Sequence, residues 1–376
     1  MKKILIVSQV PTHPPVAGNR SCILSYSSML QSLGYPVYYL WIAGFYHSDE
    51  EEILMREFWK NHLYIFKKTL IHRVIEFFFR LLHFKRTGFY KIDDYYPYGI
   101  KKLIKEIQKK EKFDIIISNY IFLSKIFNYL HSIKKILYTH DVFTNKYQHT
   151  GQKWFSVTAN EEAKALNRAD TILAIQENEA IFYSYLTEKK VFTTYSYFSI
   201  VETPFIGKQV LLYLAGSNSY NIEAIQFFIE SVFMPLLNTN PKIILLIGGK
   251  ICNEIKNICK VDNIKIFGEV NNLIDFYSQG DIFINPTFKG TGLKIKTFEA
   301  MSFGKIIIGH PHTKIGIFKP DIAPILLAQN FKEYTIHFDS LFNDEERILD
   351  LKKKSTEYIK ELNTFVSMQF VDAIEN

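Results

Sequence analysis

The sequence predicts an α/β protein built from two Rossmann-like, doubly wound domains. Short apolar runs alternate with longer amphipathic stretches, that series stops and restarts near residue 200, and 376 residues suit two domains better than one.

In the first half the apolar runs are Lys3 to Ser8, Val37 to Trp41, Leu63 to Phe66, Asp114 to Ser118, Lys135 to Thr139, Thr171 to Ala174 and Val191 to Thr194. Continuous apolar runs, rather than alternating ones, are expected of parallel strands covered by helices on both faces. A polar, aromatic and proline-containing stretch, Tyr195 to Lys208, interrupts the series. It resumes with Val210 to Leu214, Lys242 to Ile247, Asn263 to Phe267, Asp281 to Ile284 and Lys305 to Ile308. From about residue 330 the chain reads as helical and charged. The expected organisation is a first domain over 1–200, a second over 201–355, and a last helix over 356–376 that crosses back to the first.

Composition narrows the function classes. An aromatic content of 15% and a hydrophobic content of 47% exclude a disordered chain and supply large rings for cores or grooves. The net charge of +7 favours anionic partners, among them nucleotide phosphates, lipid surfaces and nucleic acid. The basic residues are scattered over both halves and form no nucleic-acid recognition motif, so no nucleic acid is expected as partner. No Gly-x-Gly-x-x-Gly with a following acid is present, which argues against a dinucleotide oxidoreductase. Cys22, Cys252 and Cys259 match neither a zinc spacing nor a disulfide framework, as in a reducing cytoplasm. The start of the chain reads as a strand without a signal cleavage site, and no stretch is apolar enough to span a bilayer. A cytoplasmic protein is expected, with any membrane contact peripheral.

In open parallel sheets ligands bind beyond the carboxyl ends of strands, so the loops that follow strands carry the information. Three stand out. Gln9 to Arg20 is rich in proline, with Gly18 opening the backbone to an anion and Arg20 offering a planar fork, or else it is simply a rigid turn. Tyr138 to Thr144 places His140 and Asp141 at a strand end, where they can bind sugar hydroxyls, orient a reacting group, or cap backbone. The third, 285–304, sets Gly290 and Gly292 before a helix predicted to open at about Leu293. Lys294 and Lys296 add positive charge there, and Glu299 lies where a carboxylate can accept from a ribose diol.

These loops, in this order, resemble those of GT-B glycosyltransferases of the large retaining family-four, or group 1, type. The resemblance runs through Thr139-His140-Asp141, Arg168-Ala-Asp-Thr-Ile, and Leu214-Ala-Gly-Ser-Asn-Ser-Tyr-Asn-Ile-Glu-Ala. It continues through Phe267-Gly-Glu-Val, Tyr277-Ser-Gln-Gly-Asp-Ile-Phe-Ile-Asn-Pro and Glu299-Ala-Met-Ser-Phe-Gly. It implies a nucleotide sugar held mainly by the second domain, a glycan or lipid-linked glycan acceptor held mainly by the first, and a role in bacterial surface polysaccharide synthesis. Carried over by position, Glu299 binds the ribose, Gly268, Glu269 and Val270 meet the base, and Gly290, Thr291, Gly292 and Leu293 line the pyrophosphate, with Lys296 beside them. Gly18, Arg20, Ser217 and Asn218 complete the donor contacts, and His140, Asp141 and Lys294 stand as the catalytic set. On the acceptor side the candidates are His13, Tyr95 and Tyr96; the tyrosines either stack on sugars or form a tyrosine-rich turn that packs on a helix, the preferred reading. Two departures matter: Thr291 stands where many members carry a second glutamate, and Ser217, Asn218 and Tyr220 stand where many carry Arg and Lys. Lys294 is the replacement expected for that charge.

The chemistry implied is direct transfer through an oxocarbenium-like transition state, with loop amides, the helix dipole and Lys294 stabilising the departing diphosphate. No metal or other cofactor is expected, in keeping with the absence of an Asp-x-Asp triplet. Front-face attack without a covalent intermediate is preferred, because Asp141 and Glu299 have other roles. Residues 67–86 carry six Lys or Arg among aromatic and aliphatic side chains and read either as a surface for the inner membrane or as a core helix with solvated flanks. A GT-B-fold nucleotide-sugar epimerase and a non-catalytic nucleotide-sugar binder are the alternatives.

Overall fold

The structure is a computed structural model that describes residues 1–15, 18–150, 155–255, 261–290 and 292–376, the side chains of 149 and 150 apart. Two compact units emerge, Met1–Tyr197 with Phe365–Asn376, and Phe198–Thr364. Each is built on one parallel sheet.

In the first unit the strands are β1 (Ile4–Ser8), β2 (Val37–Ala43), β3 (Leu63–Lys67), β4 (Ile115–Asn119), β5 (Lys134–Tyr138), β6 (Thr171–Ala174) and β7 (Lys190–Thr193). Their order is β3-β2-β1-β4-β5-β6-β7. Ile4 lies opposite Val37 on one side and Ile115 on the other, and every residue of β1, β4 and β6 is buried. Helices on both faces exclude water from these strands, which is why they read in the sequence as unbroken apolar runs. Local chemistry sets the helix starts. Ser48 and Glu51 form a reciprocal capping box at Asp49–Trp59, and the Thr158 hydroxyl accepts from the Glu161 amide at Ala159–Leu166.

Much of the aromatic content fills this unit's core. Tyr96 is buried there, and the Tyr95 ring packs edge-on to Tyr90 and Phe155 at 5.2 Å each. Tyr96 is therefore not the open platform for an acceptor sugar that was one of its two expected roles, while Tyr95 is half-buried among these rings. The unit also includes the end of the last helix, Glu345–Glu375. Phe370 stacks on Tyr26 at 5.1 Å and meets Tyr138 edge-on at 5.9 Å, while Lys2 donates to the Ile374 carbonyl at 2.9 Å.

The second unit carries β8 (Val210–Leu214), β9 (Ile244–Gly248), β10 (Ile264–Gly268), β11 (Ile282–Asn285), β12 (Ile306–Gly309) and β13 (Ile325–Leu327) in the order β10-β9-β8-β11-β12-β13. β13 was not expected from the sequence. It has three residues and follows a proline, too little for an apolar run to register. At the carboxyl end of β9, Gly249 has φ of +94°, and a Cβ there would lie 2.4 Å from the Ala215 carbonyl oxygen. Only glycine lets the chain turn so close to the end of β8.

At the opposite end of this sheet Lys305 is fully buried, and its Nζ has no hydrogen-bond partner among the described residues. Burial, reinforced by the nearby Lys352 ammonium and opposed by Asp281, pulls its pKa down to about 7. Lys352 itself pairs with Asp281 at 2.6 Å. Between pH 7 and the ordinary lysine range the unfolded chain therefore binds more protons than the folded one, so this residue makes stability rise with pH across that window. Replacement of Lys305 by Met is expected to stabilise the protein by about 1–3 kcal/mol at pH 7 and to flatten that rise. Urea unfolding at pH 7 and pH 9 measures both; equal stability of the two proteins at pH 7 would remove Lys305 as a source of strain.

Candidate functional site

In the second sheet the strand order reverses between β8 and β11, so the crevice at their carboxyl ends is where a ligand is expected. The loops that meet there are 215–218 and 286–294. They are held together in two ways. Lys289 pairs with Glu223 at 2.6 Å, and the Tyr220 ring lies 3.6 Å from where a Gly290 Cβ would be.

Loop 286–294 is tied down at its start. Asn285 donates to the Thr297 hydroxyl at 2.8 Å and accepts from the Thr287 amide at 3.2 Å, which fixes the end of β11 against the following helix. Gly290 has φ of +100°, and its carbonyl accepts from His312 Nε2 at 2.7 Å. Since a carbonyl only accepts, His312 carries its proton on Nε2. Thr291 lies outside the described residues. Gly292 is exposed, and nothing lies within 4 Å of where its Cβ would be. The helix runs Ile295–Ser302, two residues later than expected, because Lys294 takes a non-helical conformation with ψ of 65°. No side chain caps it. The Ile295 and Thr297 amides donate to the Leu293 and Lys294 carbonyls at 2.9 Å each, and the positive end of the helix dipole faces the glycine loop without a side-chain cap.

Lys294 curls over this loop. Its Nζ donates to the carbonyls of Gly290 and Gly292 at 3.2 Å each, and no carboxylate pairs with it among the described residues. Desolvation pulls its pKa down to about 8. An ammonium held by two neutral carbonyls beside an uncapped helix is electrostatically unsatisfied and attracts an anion with several oxygens.

One turn further on, Glu299 is buried within the same helix. Its Oε1 accepts from the Tyr277 hydroxyl at 2.9 Å and from Lys296 Nζ at 2.8 Å, and Oε2 accepts from the same Nζ at 3.0 Å. Tyr277, whose ring stacks on Phe303 at 4.5 Å, is buried, and burial with the neighbouring carboxylate pushes its phenol far above the ordinary range. It is a fixed donor that aims the carboxylate. Two carboxylate oxygens offer about four lone-pair sites, so acceptor capacity remains for a diol.

The remaining donor-side residues are spread along the same sheet edge. Gly268 has φ of +88° with open space at its α-carbon, and its carbonyl accepts from the Gly249 amide at 2.7 Å. Glu269 is exposed, and Val270 approaches to 2.9 Å from where a Gly248 Cβ would be. Ser217 is exposed, while the Asn218 side chain caps the helix Ser219–Phe228 through the Asn221 amide at 2.9 Å. The Asn218 side-chain oxygen is thus engaged at its own helix start, while the residue itself is exposed.

In the first unit the sheet order reverses between β1 and β4, and the residues there form a buried polar group. His140, at φ of +65°, donates through Nε2 to Asn119 Oδ1 at 2.7 Å, and its ring lies between Tyr120 at 4.5 Å and Tyr138 at 4.4 Å. Burial lowers its pKa to about 3. The imidazole is therefore neutral, with Nδ1 left as an acceptor, and it suits binding a hydroxyl better than giving up a proton. Asp141 is paired with Lys146 at 2.7 Å. Arg20 is not a free fork as expected: its guanidinium pairs with Glu51 at 2.5 Å and donates to the Pro14 carbonyl at 3.4 Å. Gly18 begins the helix Gly18–Ser32. His13 accepts or donates at Nδ1 with the Thr12 hydroxyl at 3.0 Å, packs on Phe58 at 4.4 Å, and has its pKa lowered by burial.

Sequence reasoning missed Tyr277, Asn119 and Tyr120. A signal existed for the latter two, since they follow β4, the partner of β1 at the reversal point. Tyr277 stood out only as the start of a motif, and its bond to Glu299, made from a helix 22 residues earlier, had no local signal. Among the described residues no three or more His, Cys, Asp or Glu are grouped so as to hold a metal ion.

With this geometry in hand, comparison with known proteins is informative. Residues 208–335, which contain the glycine loop, Lys294 and Glu299, match the family described as glycosyl transferases group 1. No curated protein matches the chain by sequence. Solved structures match it over its whole length. Anabaena HepE in complex with UDP and glucose superposes with a TM-score of 0.65 at 12% identity, covering 100% of both chains. Sucrose-phosphate synthase of Thermosynechococcus elongatus gives 0.66 at 12% identity, over 100% of this chain and 98% of that one. The pneumococcal O-GlcNAc transferase GtfA in complex with UDP and GlcNAc gives 0.64 at 10%, over 100% and 98%. The glycosyl transferases group 1 match thus covers residues 208–335, which hold the glycine loop, and over its whole length the chain has the fold of two Rossmann-like units found in these structures.

Proposed function

We propose that the protein transfers a sugar from a nucleoside-diphosphate donor, a UDP-sugar in the first instance, to a hydroxyl of a glycan or lipid-linked glycan during surface polysaccharide assembly. One observation carries this reading: the Lys294 ammonium rests on the Gly290 and Gly292 carbonyls at an uncapped helix start whose next turn holds Glu299. A diphosphate and a ribose diol are the ligand whose groups complement that pair. UDP in the structures of HepE and GtfA supports the choice of base.

The chemical barrier is charge separation between an oxocarbenium-like sugar and its departing diphosphate. Lys294 and the helix amides meet the growing negative charge, an arrangement that lowers the barrier because it is already oriented. Glu299, held by Tyr277 and Lys296, orients the ribose. Neutral His140, acting through Nδ1, accepts from a sugar hydroxyl rather than moving a proton. The carboxylates Asp141 and Glu299 are each engaged with a lysine, which favours front-face attack with retention over a covalent carboxylate intermediate. No metal enters this scheme, and the reaction belongs at the cytoplasmic side, where nucleotide sugars are made.

Incubation of the chain with radiolabelled UDP-sugars and a lipid-linked oligosaccharide pool, with and without chelator, tests the reading. A heavier labelled glycan is expected, in equal yield with chelator. An epimeric nucleotide sugar would assign the chain to the epimerases, no product despite tight UDP binding would make it a binder, and loss of product on chelation would overturn the metal-free scheme.

A further inference from the structure

Residues 70–87 form one continuous helical segment, an α-helix over Leu70–Phe79, a π-helical turn over Arg80–Phe84 and a last α-turn over Lys85–Thr87. None of its residues is buried. One side is nonetheless anchored: Phe84 stacks on Tyr90 at 4.7 Å, and Phe79 lies along Tyr98 at 6.1 Å. The opposite side presents Leu70, Ile71, Val74, Phe77, Phe78 and Leu82, between 47% and 68% exposed. Six large apolar side chains on one helix face are far more than scattered surface hydrophobics require.

Cations are interleaved with this face. Arg73, Arg80, Lys85 and Arg86 are exposed, and none has a carboxylate partner among the described residues. The helix's one acid, Glu76, is already paired with Lys68 at 2.5 Å. The neighbouring loop after β2 extends the surface: Phe45 and Tyr46 are exposed, and the Arg73 guanidinium lies over both rings at 5.6 and 5.2 Å. The patch thus combines apolar and aromatic side chains with uncompensated positive charge, the two properties of a helix that lies in a lipid–water interface. A second copy of the chain would cover the apolar groups but would set this positive charge against its own image, which is repulsive.

We infer that this face binds the surface of a bilayer rich in anionic lipid, with Ile71, Val74, Phe78 and Leu82 entering the acyl boundary and Arg73, Arg80, Lys85 and Arg86 meeting lipid phosphates. The inference is independent of the donor site, because vesicle binding requires no nucleotide sugar. It gives a lipid-linked acceptor a physical reason to be the substrate.

The test is co-sedimentation of the full chain with phosphatidylcholine vesicles containing about 30% phosphatidylglycerol, and with phosphatidylcholine alone. Binding to the anionic vesicles is expected, at least about tenfold weaker for the Phe78→Ser/Leu82→Ser protein, for the Arg73→Gln/Arg80→Gln protein, and on the neutral vesicles. Both substitutions lie on exposed positions, and an unchanged thermal shift by UDP confirms that the fold and the donor site are intact. No binding to anionic vesicles, or binding that neither double substitution weakens, overturns the inference. So does a dimer, measured by sedimentation velocity, that disappears in the Phe78→Ser/Leu82→Ser protein, since it would assign the face to a second copy.

Discussion

Glu299→Ala is expected to weaken UDP binding by about 10²-fold, the loss of two charge-assisted hydrogen bonds to a ribose diol. The substitution has a second effect, because the Tyr277 hydroxyl is buried and donates to Glu299 at 2.9 Å. Without that acceptor the phenol is stranded, at a cost to stability of about 1–3 kcal/mol. Glu299→Gln separates the two. Its amide oxygen still accepts from Tyr277, so stability stays near that of the wild type, while the loss of carboxylate charge leaves Lys296 unpaired and weakens ribose binding. Calorimetric titration with UDP, alongside thermal unfolding, distinguishes the terms. Unchanged UDP affinity in both variants would remove Glu299 from the nucleotide site.

Lys294 carries the second large effect, and here pH is the handle. Its pKa of about 8 in the empty site reflects desolvation, with only two carbonyls as partners. A bound diphosphate favours the charged form and raises that value. Nucleotide binding near pH 8 is therefore expected to take up protons, and affinity for UDP to fall as pH rises through and above that point. Lys294→Ala is expected to slow turnover by about 10²-fold while weakening UDP binding less, since charge on the leaving group peaks in the transition state. Lys294→Arg retains its charge at high pH and should flatten the profile. Titrations in buffers of different ionisation enthalpy read the proton uptake directly. Equal heats in all buffers and an unaltered turnover of Lys294→Ala would exclude the residue from the diphosphate site.

How much of this was legible in the sequence follows from the physics of each feature. Parallel strands buried on both faces betray themselves as apolar runs, so twelve of the thirteen strands could be read and the two-sheet architecture with them. The glycine loop was legible because a positive φ favours glycine at Gly290. What escaped depends on partners far apart in the chain. Arg20 looks like an anion fork until Glu51, 31 residues on, takes it up. Tyr96 looks like a sugar platform because composition cannot distinguish a buried ring from an exposed one. Likewise the neutral state of His140 comes from burial between Tyr120 and Tyr138, which no local pattern encodes.

Residues 365–376 supply Phe370 to the rings of Tyr26 and Tyr138, and the Ile374 carbonyl to Lys2. During synthesis they follow the whole second unit. The amino-terminal unit must accordingly emerge from the ribosome with an aromatic cleft open, and it reaches its final packing only once that later segment has been made, in the order opposite to the usual vectorial assembly of tandem domains.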